Sequence, residues 1–207
     1  MKGLLVHGCY DQSTFQTLTT LGVENFAFDL RGKSTNLVTF KNLKEILSVS
    51  PFQTHVLIFE DDTRETILSF FDLLKNTGKS FVPEFRDNKD AAFYSSFGKP
   101  YLWYFRPEGE WEKILKSDFC EGIILPLKYQ SLYQDLPHLW TLIEEREIPI
   151  WLHAENFVEA EFFENKKSIQ PSLDLTAEIQ ISYRSVDQTR LSTMKLWRKL
   201  NESSAGQ

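Results

Sequence analysis

Glycine is scarce in this chain, with 9 residues among 207. Proteins that cradle phosphate need glycine where backbone amides close on the ligand, so this scarcity argues against such a cradle. No G-x-G-x-x-G, no P-loop and no G-x-S-x-G occurs. That removes the dinucleotide fingerprint, the Walker loop and the serine nucleophile elbow. Cysteine is rarer still. Cys9 and Cys120 stand far apart, which suggests free thiols in a reducing compartment and not a disulfide framework. The histidines, at positions 7, 55, 138 and 153, show no metal-ligand spacing, and H-A-E at 153–155 lacks the P-C-x-x-C that a zinc deaminase would add. Neither a metal nor a cofactor is expected. The opening MKGLLVHGCYDQ lacks the apolar core of about 7–15 residues that marks a signal peptide. No apolar run approaches the ~20 residues of a membrane span. The net charge of −6 gives no electrostatic case for nucleic acid. A cytoplasmic protein that binds neither membrane nor nucleic acid is the expectation.

Apolar and aromatic residues are abundant. Hydrophobic residues make up 42% of the chain and Phe alone accounts for 17 positions, enough for a core without metal or disulfide support. They fall in short runs separated by longer segments of helical spacing. Strands are expected at 4–6, 25–30 (NFAFDL), 55–59 (HVLIF), 80–85 (SFVPEF), 101–105 (YLWYF), 122–125 (GIIL), 148–153 (IPIWLH) and 177–182 (AEIQIS). Pro83 is an awkward interior residue of the fourth. Between them lie helices with readable ends: Asp11 or Ser13 as a cap and Gly22 as a stop, then Thr39, then Asp62 or Thr63 with Gly78 beyond. A helix is expected within 129–146 and a last one over 186–200. Eight βα repeats imply a parallel sheet with right-handed crossovers. The expected fold is α/β, a single (β/α)8 barrel over residues 1–200 with a flexible tail at 201–207. A doubly wound open parallel sheet is the alternative.

In such a barrel the chemistry sits at the C-terminal strand ends. Those ends carry His7, Asp29, Arg31, Glu60, Asp61, Asp62, Glu84, Arg86, Arg106, Lys128, His153, Glu155, Tyr183 and Arg184. Loop ends are polar in any soluble protein. His7 and His153 stand apart because each ends an apolar run, so each can project into the barrel mouth. A histidine there serves as general base or acid near neutral pH, or as a hydrogen-bonded core residue. His7 is the candidate base, with Glu84 and His153 as further catalytic candidates. Arg31, Arg86, Arg106, Lys128 and Arg184 are candidate grips for an anionic substrate. Cys9 precedes a helix, whose dipole would lower its pKa, and a buried inert thiol is the competing account. The segment HAENFVEAE after the seventh strand has no glycine, and Glu155, Glu159 and Glu161 would repel a phosphate. YRSVDQTR offers Arg184 and Arg190 but again no glycine.

LLVHGCYDQSTFQTLTTLGVENFAFDL, NFAFDLRGKSTNLVTF, CEGIILPL and ISYRSVDQTRLSTMKLWRKL resemble segments of phosphoribosylanthranilate isomerases. LLVHGCYDQSTFQTLTTLGVENFAFDL resembles the family opening, K-I-C-G-I-T followed by a helix, then G-A-D and G-F-x-F. NFAFDLRGKSTNLVTF resembles the second-strand segment that ends in S-P-R. CEGIILPL resembles the sixth-strand D-x-x-L-L-D, and ISYRSVDQTRLSTMKLWRKL resembles the closing S-S-G-V-E with its last helix. The resemblance implies a barrel fold. It also implies an Amadori rearrangement run by a first-strand cysteine base and a sixth-strand aspartate acid. Those two positions read His7 and Pro126 here, and the arginine of S-P-R reads Asn36. The paired glycines after the seventh strand are replaced around His153 and Ala154, and the S-G-V of the eighth reads Arg184, Ser185, Val186. Histidine can replace a cysteine base, whereas proline has no proton to give. Losing one acid or base costs about 10²–10⁴ in rate.

The expected function is therefore a degenerate isomerase-like barrel that lacks the ancestral activity and acts as a binding or interaction module. Its partner would be a small anionic ligand or a protein, and its state a monomer or homodimer. The alternative is a divergent enzyme of isomerase or lyase type, acting on a small anionic or phosphosugar-like substrate with His7 as base.

Overall fold

A computed structural model describes residues 4–126, 137–154, 169–175, 180–182 and 185–186. Eight parallel strands close into a barrel in sequence order. They are β1 (Leu5–His7), β2 (Asn25–Asp29), β3 (Thr54–Phe59), β4 (Ser80–Phe85), β5 (Tyr101–Tyr104), β6 (Cys120–Pro126), β7 (Ile150–Ala154) and β8 (Ile169–Asp174). Pairing of β1 with both β2 and β8 closes the ring and rules out the open-sheet alternative. The helices between are α1 (Gln12–Thr20), α2 (Phe40–Val49), α3 (Arg64–Leu74), α4 (Ala91–Ser95), α5 (Trp111–Lys116) and α6 (Pro137–Glu145). Asp11, Thr39 and Thr63 cap α1, α2 and α3, each side chain accepting a backbone N–H from the first turn. Such caps satisfy amides that the helix itself leaves unpaired.

The eighth strand differs from expectation. Residues 169–174, IQPSLD, fill the gap between β7 and β1. Part of the expected strand, Gln180–Ser182, instead pairs antiparallel with Ser185–Val186. The physical reason is polarity. The barrel-facing side of β8 carries Gln170, Ser172 and Asp174, so only Ile169 and Leu173 alternate with them as apolar positions, and Pro171 between these two lowers the strand propensity. Pro83 does sit inside β4. The ladder from β4 to β5 begins only after it, at Glu84.

The core has two parts. Phe15, Phe26, Phe28, Phe59, Phe85 and Trp103 belong to the outer layer, between strands and helices. Leu5, Ala27, Val56, Ile58, Val82, Leu102, Ile124 and Trp151 form a smaller inner plug. Trp151 fits because Gly122 faces it. A Cβ on that glycine would lie 2.4 Å from the indole.

Candidate functional site

Above the plug the inward-facing positions turn polar. Two residues beyond Leu5 on β1 stands His7, two beyond Val82 on β4 stands Glu84, and two beyond Trp151 on β7 stands His153. The period of two along a strand puts each pair on one face. The mouth is thus assembled from β1, β4, β7 and β8, and all four contributing side chains are buried.

The contacts form a chain. His7 Nε2 lies 2.8 Å from Glu84 Oε2, and Arg86 Nε donates to Glu84 Oε1 at 2.6 Å. On the other side of the ring, His7 Nδ1 lies 3.0 Å from Ser172 Oγ. The same hydroxyl lies 3.0 Å from His153 Nδ1. The two imidazoles meet edge to face with centroids 4.8 Å apart. The Arg86 guanidinium stacks 4.7 Å from the Tyr104 ring, which in turn packs against His153. Arg86 Nη2 is buried with no hydrogen-bond partner among the described residues.

Electrostatics fix the charge states at two points. Burial alone would raise the Glu84 carboxyl, but the charges of Arg86 and His7 and their hydrogen bonds overcome it and hold it well below the ordinary carboxylate range. Burial, then the nearby His7 and Arg86, pushes His153 well below the usual imidazole value, so it is neutral.

Among the described residues, Arg31 and Arg106 at the mouth are engaged. Arg31 makes a fork to Asp29, with Nε at 2.9 Å and Nη2 at 2.6 Å, and its Nη1 donates to Glu60 at 3.1 Å. Arg106 donates to Glu60 at 2.9 Å and to the Arg86 carbonyl at 2.6 Å. Pro126 ends β6 level with His153 and is buried. Gly8, directly after His7, has φ +84°, and a Cβ there would lie 2.6 Å from Asn36 Nδ2 and 3.1 Å from Asp174 Oδ1. Both the dihedral and the space require glycine.

Of the residues singled out from sequence, His7, Glu84, Arg86 and His153 come together. Arg31 and Arg106 stand beside them, held by carboxylates. Lys128, Arg184, Glu155 and Tyr183 lie outside the described residues, as does the 201–207 tail. The eighth barrel strand ends at Asp174 and not at the expected Ser182. Cys9 does not share the face of His7. It packs in the outer core, where burial and the charge of Asp11 push its thiol up, opposite to an activated nucleophile. Ser172 and Asp174 join the site from β8, the strand that lies outside the expected 177–182 segment. No group of His, Cys, Asp and Glu among the described residues could hold a metal ion.

A closed eight-stranded parallel barrel with a charged, hydrogen-bonded mouth defines the (β/α)8 class. Within that class the chain has the fold of phosphoribosylanthranilate isomerases. The Thermus thermophilus enzyme superposes with a TM-score of 0.67 at 17% identity, covering 98% of this chain and 99% of that one. The Pyrococcus furiosus enzyme gives 0.62 at 13%, covering 98% and 100%. A more distant barrel, the citrate synthase SbnG, gives 0.60 at 7%, covering 99% and 92%. No protein-family model and no curated protein sequence matches the chain. No helix among the described residues is long and apolar enough to cross a membrane.

Proposed function

We propose that this chain is a divergent phosphoribosylanthranilate isomerase-type barrel that does not run the family's isomerisation and serves as a binding module for a small anion. One observation carries this reading: Pro126, not a carboxylic acid, ends β6 beside His153. An acid at that position would stand next to His153, on the neighbouring strand. Without it, proton donation to the substrate has no source there. Arg86 Nη2 supports the anion as ligand, because a buried guanidinium N–H without an acceptor gains a charge-assisted hydrogen bond when an anion arrives. A cytoplasmic setting and a monomeric or homodimeric state belong to the same reading.

The test has two arms. Expression in a strain lacking the isomerase should give no growth without tryptophan, and growth would overturn the loss of activity. A thermal-shift panel of phosphorylated sugars and carboxylates should return at least one ligand. At 100 times its Kd a ligand adds about 2.7 kcal/mol. No shift across the panel would remove the anion.

A second reading is favoured by the imidazole pair: an acid–base enzyme of isomerase or lyase type on a small anionic substrate. The geometry changes who would act in it. Both nitrogens of His7 are engaged, by Glu84 and by Ser172. Nε2 of His153 makes no hydrogen bond among the described residues. The nitrogen available to a substrate is therefore that of His153, with His7 behind it.

A further inference from the structure

Ser172 stands between two histidines with one proton on its oxygen, and that single proton constrains both rings. Glu84 is ionised and can only accept, so the proton between it and His7 sits on His7 Nε2. If His7 is neutral, its Nδ1 is a lone pair and must accept the Ser172 hydroxyl. The hydroxyl oxygen then accepts from His153, which carries its proton on Nδ1 and leaves Nε2 bare. The arrangement has one other consistent state. With a proton added, His7 donates from both nitrogens, Ser172 turns to donate to His153 Nδ1, and His153 carries its proton on Nε2.

We infer that Ser172 couples His7 and His153 into one proton-sharing unit, with His153 Nε2 as its outer end and the Glu84 carboxylate as its inner anchor. The transfer balances. A proton arrives on His153 Nε2, the Nδ1 proton of that ring passes to Ser172, and the Ser172 proton passes to His7 Nδ1. The net change is one proton on His7, beside Glu84, while His153 has changed tautomer without gaining charge. Ser172 and His7 are positioning residues here, and His153 is the ring whose Nε2 makes no hydrogen bond among the described residues.

The surroundings favour that destination. Glu84 and Arg86 face the unit from β4 and beyond it, Arg31 and Asp29 from the β2 end, Glu60 from the β3 end, Tyr104 from β5 and Asp174 from β8. Four carboxyl groups thus stand against three guanidiniums once Arg106 is included. An added positive charge is best placed on the ring that touches a carboxylate. The coupling needs no ligand, so it stands or falls separately from anion capture.

The test is nitrogen NMR of the ¹⁵N-labelled chain, reading the tautomer of each ring from alkaline to mildly acidic pH. His55→Gln and His138→Gln variants remove the other two histidine signals. At the alkaline end the two remaining rings should hold opposite tautomers, His7 on Nε2 and His153 on Nδ1. On acidification one ring should become doubly protonated while the other moves its proton from Nδ1 to Nε2 at the same midpoint. Ser172→Thr should preserve this switch and Ser172→Ala should abolish it. Like tautomers at alkaline pH, or separate midpoints for the two rings, would overturn the inference, and the unsubstituted chain alone decides either.

Discussion

Glu84 is charged at a depth where burial alone would neutralise it. Arg86 on one oxygen and His7 on the other make the charge tolerable. Removing one member of such a pair leaves the rest unmatched in a medium of low dielectric, which costs about 3–5 kcal/mol. Glu84→Gln keeps the shape and deletes the charge. It should lose stability on that scale in urea denaturation, and a loss under about 1 kcal/mol would mean that water reaches the cluster and screens it. Much of this cluster was legible from sequence, because His7, Glu84 and His153 stand at the C-terminal ends of expected strands, where the chemistry of a barrel sits. Their partnership was not legible. A hydrogen bond between positions 77 residues apart depends on barrel closure, and the serine that links the rings follows a proline in a strand whose apolar alternation is short.

At the scale of elements, seven of the barrel strands announced themselves by β-branched and aromatic runs; of the caps, Thr39 was singled out by type, and Asp11 and Thr63 each stood as one of two candidates. The eighth did not, for a reason that belongs to barrels. A strand that lines a polar mouth presents Gln170, Ser172 and Asp174 inward, and with Pro171 between Ile169 and Leu173 its apolar alternation is short and interrupted. The opposite case is β6, where Gly122 leaves room for Trp151. Gly122→Ala would press a methyl group against that ring, against Leu102 at 3.1 Å and against the Pro149 carbonyl at 3.2 Å. Backbone cannot yield as a side chain can, so overpacking should cost about 1–3 kcal/mol. Calorimetry should show a lowered Tm. An unchanged Tm would mean that the inner plug repacks freely and is not a fixed layer.

The whole molecule responds to acid through groups far from the mouth as well as in it. His55, on the outer side of β3, accepts or donates to Ser50 at 3.1 Å and is pushed down to about 4 by burial and then by Lys79. An unfolded histidine titrates near ~6.5. Below that pH the unfolded chain takes a proton that the folded chain refuses, so stability is full above ~6.5 and is lost as pH falls toward 4. His153 acts in the same direction. Glu84 and Asp29, both held below the ordinary carboxylate value, contribute stability above ~4 that is lost only at lower pH. Urea midpoints measured against pH should therefore begin to fall near ~6.5, above the range in which Glu84 and Asp29 take up protons. His55→Gln should flatten that upper part of the curve. A flat profile down to pH ~5 in the unsubstituted chain would mean that the buried histidines charge in place.

Closure of the barrel makes a further demand that its two thiols can report. Cys9 follows the C-terminal end of β1 and Cys120 opens β6 at its N-terminal end, so they sit at opposite ends of the barrel. Both are buried, and burial pushes Cys120 up to about 12 and Cys9 well above its usual value. Neither is a nucleophile in the folded chain. Labelling with a thiol reagent then measures opening. In a ring with no edge strand, freeing β1 breaks its ladders to both β2 and β8, and the layer that buries Cys120 loses its support with them. The two thiols should label at equal rates, and both should follow the unfolding midpoint in denaturant. If Cys9 labels much faster than Cys120 in the native protein, the β1–β8 seam opens on its own, and the polar strand that closes the barrel is its weakest joint.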